Sequence, residues 1–389
     1  MIPYGKHYID EDDIQAVVDV LRSDFLTQGP AVEVFEKAVA EYVGVKYAVA
    51  VSSGTAALHL AALAAGVGPG TSLVTSPITF VASANAARYC GGDVLFADID
   101  PDTINMSPNA LREVLFKNSN VKAIIPVHFA GLPCDMLSIK NLADEVGAVV
   151  IEDAAHALGA TYLSGKRVGC CENSLMTIFS FHPVKTIAAG EGGMITTNDE
   201  GVYRKLLRLR SHGINKLDDS YECQSNAFVN GKLNPWYYEM QELGYHYRIT
   251  DIQCALALSQ FKKIDKFISR RRELAKFYGE AFFENDFFKP AQKSISSNLS
   301  AHHLYVLRIN FSLLGVSRGD FMRNLRGAGI ITQVHYMPVV IHPYYKSRGF
   351  KIEDYPRSLE FYQQALSIPL YYDLSNAQQK YVVDMLNLQ

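Results

Sequence analysis

The first half of the chain alternates short apolar runs with helix-forming stretches, and that rhythm limits the fold more than any other feature. YAVAV precedes SGTAALHLAALAAGV, SLVTSP precedes VASANAARY, and DVLFADID follows; KAIIPVHFAG then precedes DMLSIKNLADEVG, and AVVIEDAAHA closes the series. Such alternation predicts an α/β fold with a mainly parallel central sheet, because each parallel pair needs a crossover that a helix can fill. AIIPV and AVVIE are apolar without alternating, as strands are when both faces are buried, so helices are expected on both sides of the sheet. LMTIFSF and GGMITTN supply further strands before a helix at VYRKLLRLRS.

The pattern changes from about Ile214 to Leu243, a polar and aromatic segment with little periodicity. Its Trp236, Tyr237 and Tyr238 have apolar area to bury, so order imposed by contact, including contact with a second subunit, is expected rather than disorder. Long helical periodicity resumes at TDIQCALALSQFKKIDKFISRRRELAKFYGEAF, followed by HLYVLRINF, DFMRNLRGAG, ITQVHYMP and a closing helix. This predicts a large domain over 1–247, including the N-terminal segment, and a smaller C-terminal α+β domain over 248–389. At 389 residues and 48% hydrophobic composition, the chain can supply cores for both.

Basic and acidic residues nearly balance, 37 against 40 for a formal charge of -3, which gives no basis for a nucleic-acid or anionic-membrane partner. MIPYGKHYIDEDD has no basic segment followed by an apolar run, and no apolar stretch approaches the roughly 20 residues that span a bilayer. A cytoplasmic location is expected. The six cysteines, among them the adjacent Cys170 and Cys171, form no CxxC pair and accompany no histidines at zinc-finger spacing, so reduced thiols and no metal site are expected.

Three signals then fall in the order that one cofactor would require. In VSSGTAALHL a strand ends and a helix begins, and the free amides at Gly54 and Thr55 could hold a phosphate; a plain N-cap would leave the same pattern. In AVVIEDAAHALG, Asp153 stands at the carboxyl end of a strand, where the sites of open α/β sheets gather. A carboxylate there can keep a ring nitrogen protonated, as pyridoxal phosphate needs to act as an electron sink, or can simply cap the next helix. His156 suits a structural or ring-contacting place better than that of a base. In FSFHPVKTIAAGEGG, Lys185 can form a Schiff base if burial lowers its pKa, with Ser180 as a phosphate ligand; a surface lysine is the alternative.

Together SGTAAL, IEDAAHALG, FSFHPVK with GEGG, and GYHYRITDIQCALALSQ resemble the DegT/DnrJ/EryC1/StrS sugar aminotransferases, a fold-type-I pyridoxal phosphate family, over essentially the whole chain. Within it, IPYGKHYIDEDDI, SDFLTQGP, TSPITFVASAN, LRSHGI, WYYEMQ and QVHYMPV resemble the pseudaminic acid branch, which moves an amino group from L-glutamate to C4 of a UDP-linked 4-keto-6-deoxy-N-acetyl sugar. The resemblance implies pyridoxal 5'-phosphate bound through Lys185, which would also shuttle the proton, with Asp153 on the pyridinium and Phe80 stacked on the ring beside His156. Ser180, Gly54 and Thr55 would hold the phosphate. Tyr4, the stretch Asp24, Phe25, Leu26 and Thr27, and the stretch Gln333, Val334, His335 and Tyr336 would lie around the sugar nucleotide.

The family's GYNYR asparagine reaches across a homodimer interface to the phosphate; this chain has His246 there, which can also donate a hydrogen bond. A homodimer with shared active sites is therefore implied. Three other readings stand beside this one. One is an aminotransferase for another UDP- or dTDP-linked ketosugar at C3 or C4. Another is a sugar 3-dehydratase, whose branch carries histidine where Lys185 stands. The third is a cofactor-binding regulator without turnover.

Overall fold

The apolar runs form seven strands of one sheet: β1 (Tyr47–Val51), β2 (Ser72–Thr75), β3 (Asp93–Phe96), β4 (Val121–Ile125), β5 (Val149–Asp153), β6 (Met176–Ser180) and β7 (Gly193–Thr197). The computed structural model describes residues 1–216, 220–292 and 298–388. Strand order is β1-β7-β6-β5-β4-β2-β3, parallel throughout except that β7 runs antiparallel to both its neighbours. The expected α/β architecture is present.

After α1 (Glu11–Leu21), two layers of helix cover the sheet, drawn from α2 (Pro30–Val43), α3 (Gly54–Ala64), α4 (Val81–Tyr89), α5 (Pro108–Lys117), α6 (Met136–Val146) and α7 (Glu200–Arg210). Side chains alternate across a strand. Ala48 and Ala50 thus join a core with Phe35 of α2, Leu111 of α5 and Ile139 of α6, while Val49 and Val51 join the opposite core with α3, α4 and Leu206 of α7. Burial on both faces is why these strands read as unbroken apolar runs. Phe35 and Phe179 are fully buried, a contribution of about 1.5–3 kcal/mol each.

The same alternation sorts the polar strand ends. Val150 and Phe179 face the first core, and Ile151 and Ile178 face the second. Glu152 therefore points to the α2, α5 and α6 side, whereas Asp153 and Ser180 point together to the side of α3 and α4.

Four two-residue strands, β8 (Ile214–Asn215), β9 (Phe228–Val229), β10 (Lys232–Leu233) and β11 (Glu239–Met240), with the short helix α8 (Gln224–Ala227), make up the aromatic segment; its residues 217–219 lie outside the described residues. Tyr221 is buried edge-on against Tyr237, but Trp236 remains 73% exposed. Next, α9 (Asp251–Phe261) packs on α1 and α2, and its Cys254 and Ala257 enter the first core. Asp251 accepts from Gly29 N and Ala31 N at 2.9 and 3.0 Å, satisfying amides at the start of α2.

A further core forms where α10 (Ile264–Ala281) meets an antiparallel sheet of β12 (Phe288–Pro290), β13 (Tyr305–Ile309) and β14 (Ala365–Ile368). Phe321 and Val382, from helices Arg318–Gly327 and Asn376–Asn387, complete it. The N-terminus is stitched to this part, since Ile2 bridges Ile330 in parallel. ITQVHYMP forms no strand; it makes one bridge, Gln333 to Ser367. Among the described residues no helix is long and apolar enough to cross a membrane.

Candidate active site

The carboxyl edge of the parallel strands opens into a cleft of about 450 Å³. Its floor depends on two close approaches that only glycine permits. A Cβ on Gly54 would lie 2.8 Å from Ser180 Cβ, and one on Gly193 would lie 2.4 Å from the Ser53 carbonyl oxygen. The turn from β1 into α3 can therefore press against the end of β6 and the start of β7. Ser53 caps α3, its side chain accepting from Ala56 N at 3.1 Å, which leaves the first amides of the helix to face the cleft beside Ser180.

Asp153 lies across that floor, 5% exposed. Oδ1 accepts from Ala155 N at 3.1 Å and Oδ2 from Ser83 Oγ at 2.7 Å. A carboxylate has about four acceptor positions, so two remain for whatever enters the cleft. Lys185 lines the same cleft, where burial pulls its amine down to about 8 against the opposing attraction of Asp153. A lysine so placed supplies free amine near neutral pH, as a nucleophile requires.

Three histidines crowd this lysine. His156 takes its Nε2 to the Tyr336 hydroxyl at 3.0 Å and lies against His303 with ring centroids 4.4 Å apart, the planes tilted by 38°; its Nδ1 is buried without a hydrogen-bond partner. His335 joins its Nδ1 to Ser367 Oγ at 2.8 Å. Burial first, then nearby Lys185, lowers His335 to about 3 and holds His156 well below its ordinary range. His303 is lowered in the same direction, by burial and then by His156 and Lys185. All three rings are therefore held in the neutral form at neutral pH. Phe80 lines one side of the cleft and is 59% exposed.

Of the residues singled out in the sequence, Tyr4, Gly54, Thr55, Phe80, Asp153, His156, Ser180, Lys185, His335 and Tyr336 line this one cleft. The others lie outside it. Asp24 to Thr27 form an exposed stretch tied to the start of α9, Thr27 bridging Thr250 and the Leu26 carbonyl accepting from Asp251 N at 3.0 Å. Gln333 is exposed, and its side chain accepts from Val334 N. His246 bridges Ser211 and stacks on His212 at 5.3 Å, exposed and away from the cleft of its own chain. Residues not foreseen are Ser83, Thr79, His303 and the cleft-lining Glu191 and His182. TFVASAN did carry a signal for Ser83, a small polar residue in the first turn of a helix beside Phe80; nothing local marks His303.

The profile of the DegT/DnrJ/EryC1/StrS aminotransferase family matches residues 7–387. The spore coat polysaccharide biosynthesis protein SpsC of Bacillus subtilis is 40% identical over 96% of this chain and 93% of its own length. The UDP-4-amino-4,6-dideoxy-N-acetyl-beta-L-altrosamine transaminase of Campylobacter jejuni is 38% identical over 99% of this chain and 96% of its own. Among solved structures, Helicobacter pylori PseC, an aminotransferase involved in the biosynthesis of pseudoaminic acid, superposes with a TM-score of 0.89 at 30% identity, covering 100% of this chain and 98% of that one. The fold is fold type I of the pyridoxal-phosphate enzymes. With the match running from residue 7 to 387 and the superposition spanning every strand that builds the cleft, this chain belongs to the DegT/DnrJ/EryC1/StrS aminotransferase family.

Proposed function

We propose that the chain transfers an amino group from L-glutamate to C4 of a UDP-linked 4-keto-6-deoxy-N-acetylhexosamine, in pseudaminic acid biosynthesis, using pyridoxal 5'-phosphate in a cytoplasmic homodimer. The observation that carries the reading is Lys185, its amine lowered to about 8, in one cleft with a carboxylate that has acceptor capacity to spare. Full-length similarity to the Campylobacter transaminase and to PseC supports the substrate class.

The residues present fit the cofactor. The close approach of Gly54 to Ser180 brings the first amides of α3 and the Ser180 hydroxyl to one end of the cleft, where a phosphate could be held, Asp153 can accept from a protonated ring nitrogen, and the unpartnered His156 Nδ1 offers a polar contact. When bound, pyridoxal phosphate supplies the electron sink and the temporary seat for the amino group. Lys185 would hold it, yield to glutamate, and then carry the proton between the α-carbon and the cofactor. Ser180 Oγ and the amides of Gly54 and Thr55 would grip the phosphate, drawing on the positive end of α3. Asp153 would keep the ring nitrogen charged, and Phe80 would cover a ring face. Tyr4, His335 and Tyr336, on the opposite wall, would meet the sugar. His246, exposed and remote from its own cleft, suits a reach into the partner subunit's cleft, as would Asp24 to Thr27.

The test supplies L-glutamate with a panel of UDP- and dTDP-linked 4-keto and 3-keto sugars. We expect 2-oxoglutarate and a UDP-linked 4-amino sugar, identified by mass spectrometry. Amination of a different ketosugar, a reading that 40% identity to SpsC keeps open, would replace the substrate but keep the reaction. Absence of 2-oxoglutarate with every acceptor would overturn the reading.

A further inference from the structure

We propose that Ser83 and Thr79 form a hydroxyl relay that holds Asp153 in position for the ring nitrogen of the cofactor. The proposal rests on the reading of Asp153 given above. The geometry fixes the direction of the relay. Asp153 Oδ2 lies 2.7 Å from Ser83 Oγ, and an ionised carboxylate only accepts, so Ser83 donates its single proton there. A serine in the first turn of a helix ordinarily turns back on a carbonyl of the preceding turn. Here that alternative, the Phe80 carbonyl, is 3.4 Å away, much the longer contact. With its proton committed, Ser83 Oγ must accept from Thr79 Oγ1, which lies 2.8 Å off.

Thr79 and Ser83 are 2% and 1% exposed, so water does not compete for either hydroxyl. Thr79 stands just before Phe80, and Ser83 lies on α4 one turn beyond it. The helix whose N-cap is the ring-covering aromatic thus also anchors the ring's carboxylate. Ala155 N pins Oδ1 from the other side at 3.1 Å. Held at both oxygens, the Asp153 plane is set before the cofactor arrives, and the cost of ordering that side chain is removed from binding. Ser83 and Thr79 are positioning residues: neither needs to touch the cofactor.

The experiment compares the affinity of the apoprotein for pyridoxal 5'-phosphate and for its 1-deaza analogue, in which C–H replaces the ring nitrogen, by equilibrium dialysis. Asp153→Asn should reduce the preference for the natural cofactor over the analogue. Ser83→Ala should weaken the natural cofactor about two- to tenfold, the worth of fixing one side chain, and leave the analogue unchanged. Thr79→Val, nearly the same shape, should act in the same sense to a smaller extent. If Asp153→Asn discriminates between the ligands while Ser83→Ala weakens both equally or neither, the relay is overturned and the reading of Asp153 stands. If Asp153→Asn does not discriminate, the reading of Asp153 falls and the relay falls with it.

Discussion

Asp153 and its neighbour Glu152 end the same strand on opposite faces of the sheet, and their surroundings separate a carboxylate open to a cleft from one enclosed in the fold. Glu152 Oε2 accepts from His128 Nε2 at 2.8 Å and from the Tyr162 hydroxyl, while Oε1 accepts from Ser174 Oγ at 2.5 Å and Thr177 Oγ1 at 3.1 Å. All of its roughly four acceptor positions are filled. His128 Nδ1 accepts from Cys134 N at 3.1 Å, so its proton sits on Nε2, directed at Glu152. Burial pushes the Glu152 carboxyl up, yet the hydrogen bonds from His128, Ser174 and Tyr162 together outweigh burial and hold it below its usual range. Asp153 has two donors, a cleft in front of it and Lys185 in the same space. Spare acceptor capacity facing a cavity is what favours Asp153 as the proposed partner of the cofactor; burial alone would have ranked Glu152 first.

The largest effect that sharpens this contrast belongs to the cleft side. Lys185→Ala should abolish transamination while the circular dichroism spectrum stays native, because the side chain lines a cavity rather than filling a core. Reduction by borohydride followed by peptide mapping should label Lys185, and label on another lysine would break the assignment. Asp153→Asn should retain the cofactor but slow turnover about a hundredfold or more, about 3 kcal/mol in barrier. Turnover close to wild type would erase the distinction between the two carboxylates.

Smaller effects follow from the proposed homodimer and from proton occupancy. His246→Ala should weaken cofactor retention by about 1.5–3 kcal/mol, with His246→Asn tolerated because an amide also donates. Mixing Lys185→Ala subunits with His246→Ala subunits should recover activity, since a heterodimer then has one unaltered site. A fully active monomer at assay concentration would refute a shared site. Capture of the cofactor by the apoprotein should accelerate about tenfold from pH 7 to pH 9, because the Lys185 amine loses its proton near 8 and only the neutral amine attacks. Stopped-flow absorbance reads the midpoint, and a midpoint near 10.5 would mean that the cleft does not desolvate Lys185.

The smallest expected effect on turnover is that of Glu152→Ala, within about twofold per folded molecule, although leaving its buried donors unsatisfied should cost about 1–3 kcal/mol of stability or more in denaturant titration. Since the folded carboxyl lies below its ordinary range, the stability it contributes is present at neutral pH and is lost as the pH falls through that depressed value. A large loss of turnover without loss of stability would reverse the roles assigned to the two faces.

Much of this was legible in the sequence, for local reasons. Unbroken apolar runs fix strands buried on both faces, small residues after YAVAV fix the turn into α3, and the order of SGT, IED and HPVK along parallel strands brings their ends to one edge. Lys185, Asp153, Ser180 and Gly54 were candidates on that pattern, each beside a plain structural alternative, and the fold brings all four to one cleft. Tertiary structure decided what depends on contact between distant segments. Ser83 meets Asp153 across 70 residues, His303 reaches His156 from the far part of the chain, and Gly193 makes room for a turn formed near residue 53. It also decided which of the two acidic residues of IED keeps free acceptor positions, because composition and periodicity fix the face a side chain takes, whereas only packing fixes how many donors wait there.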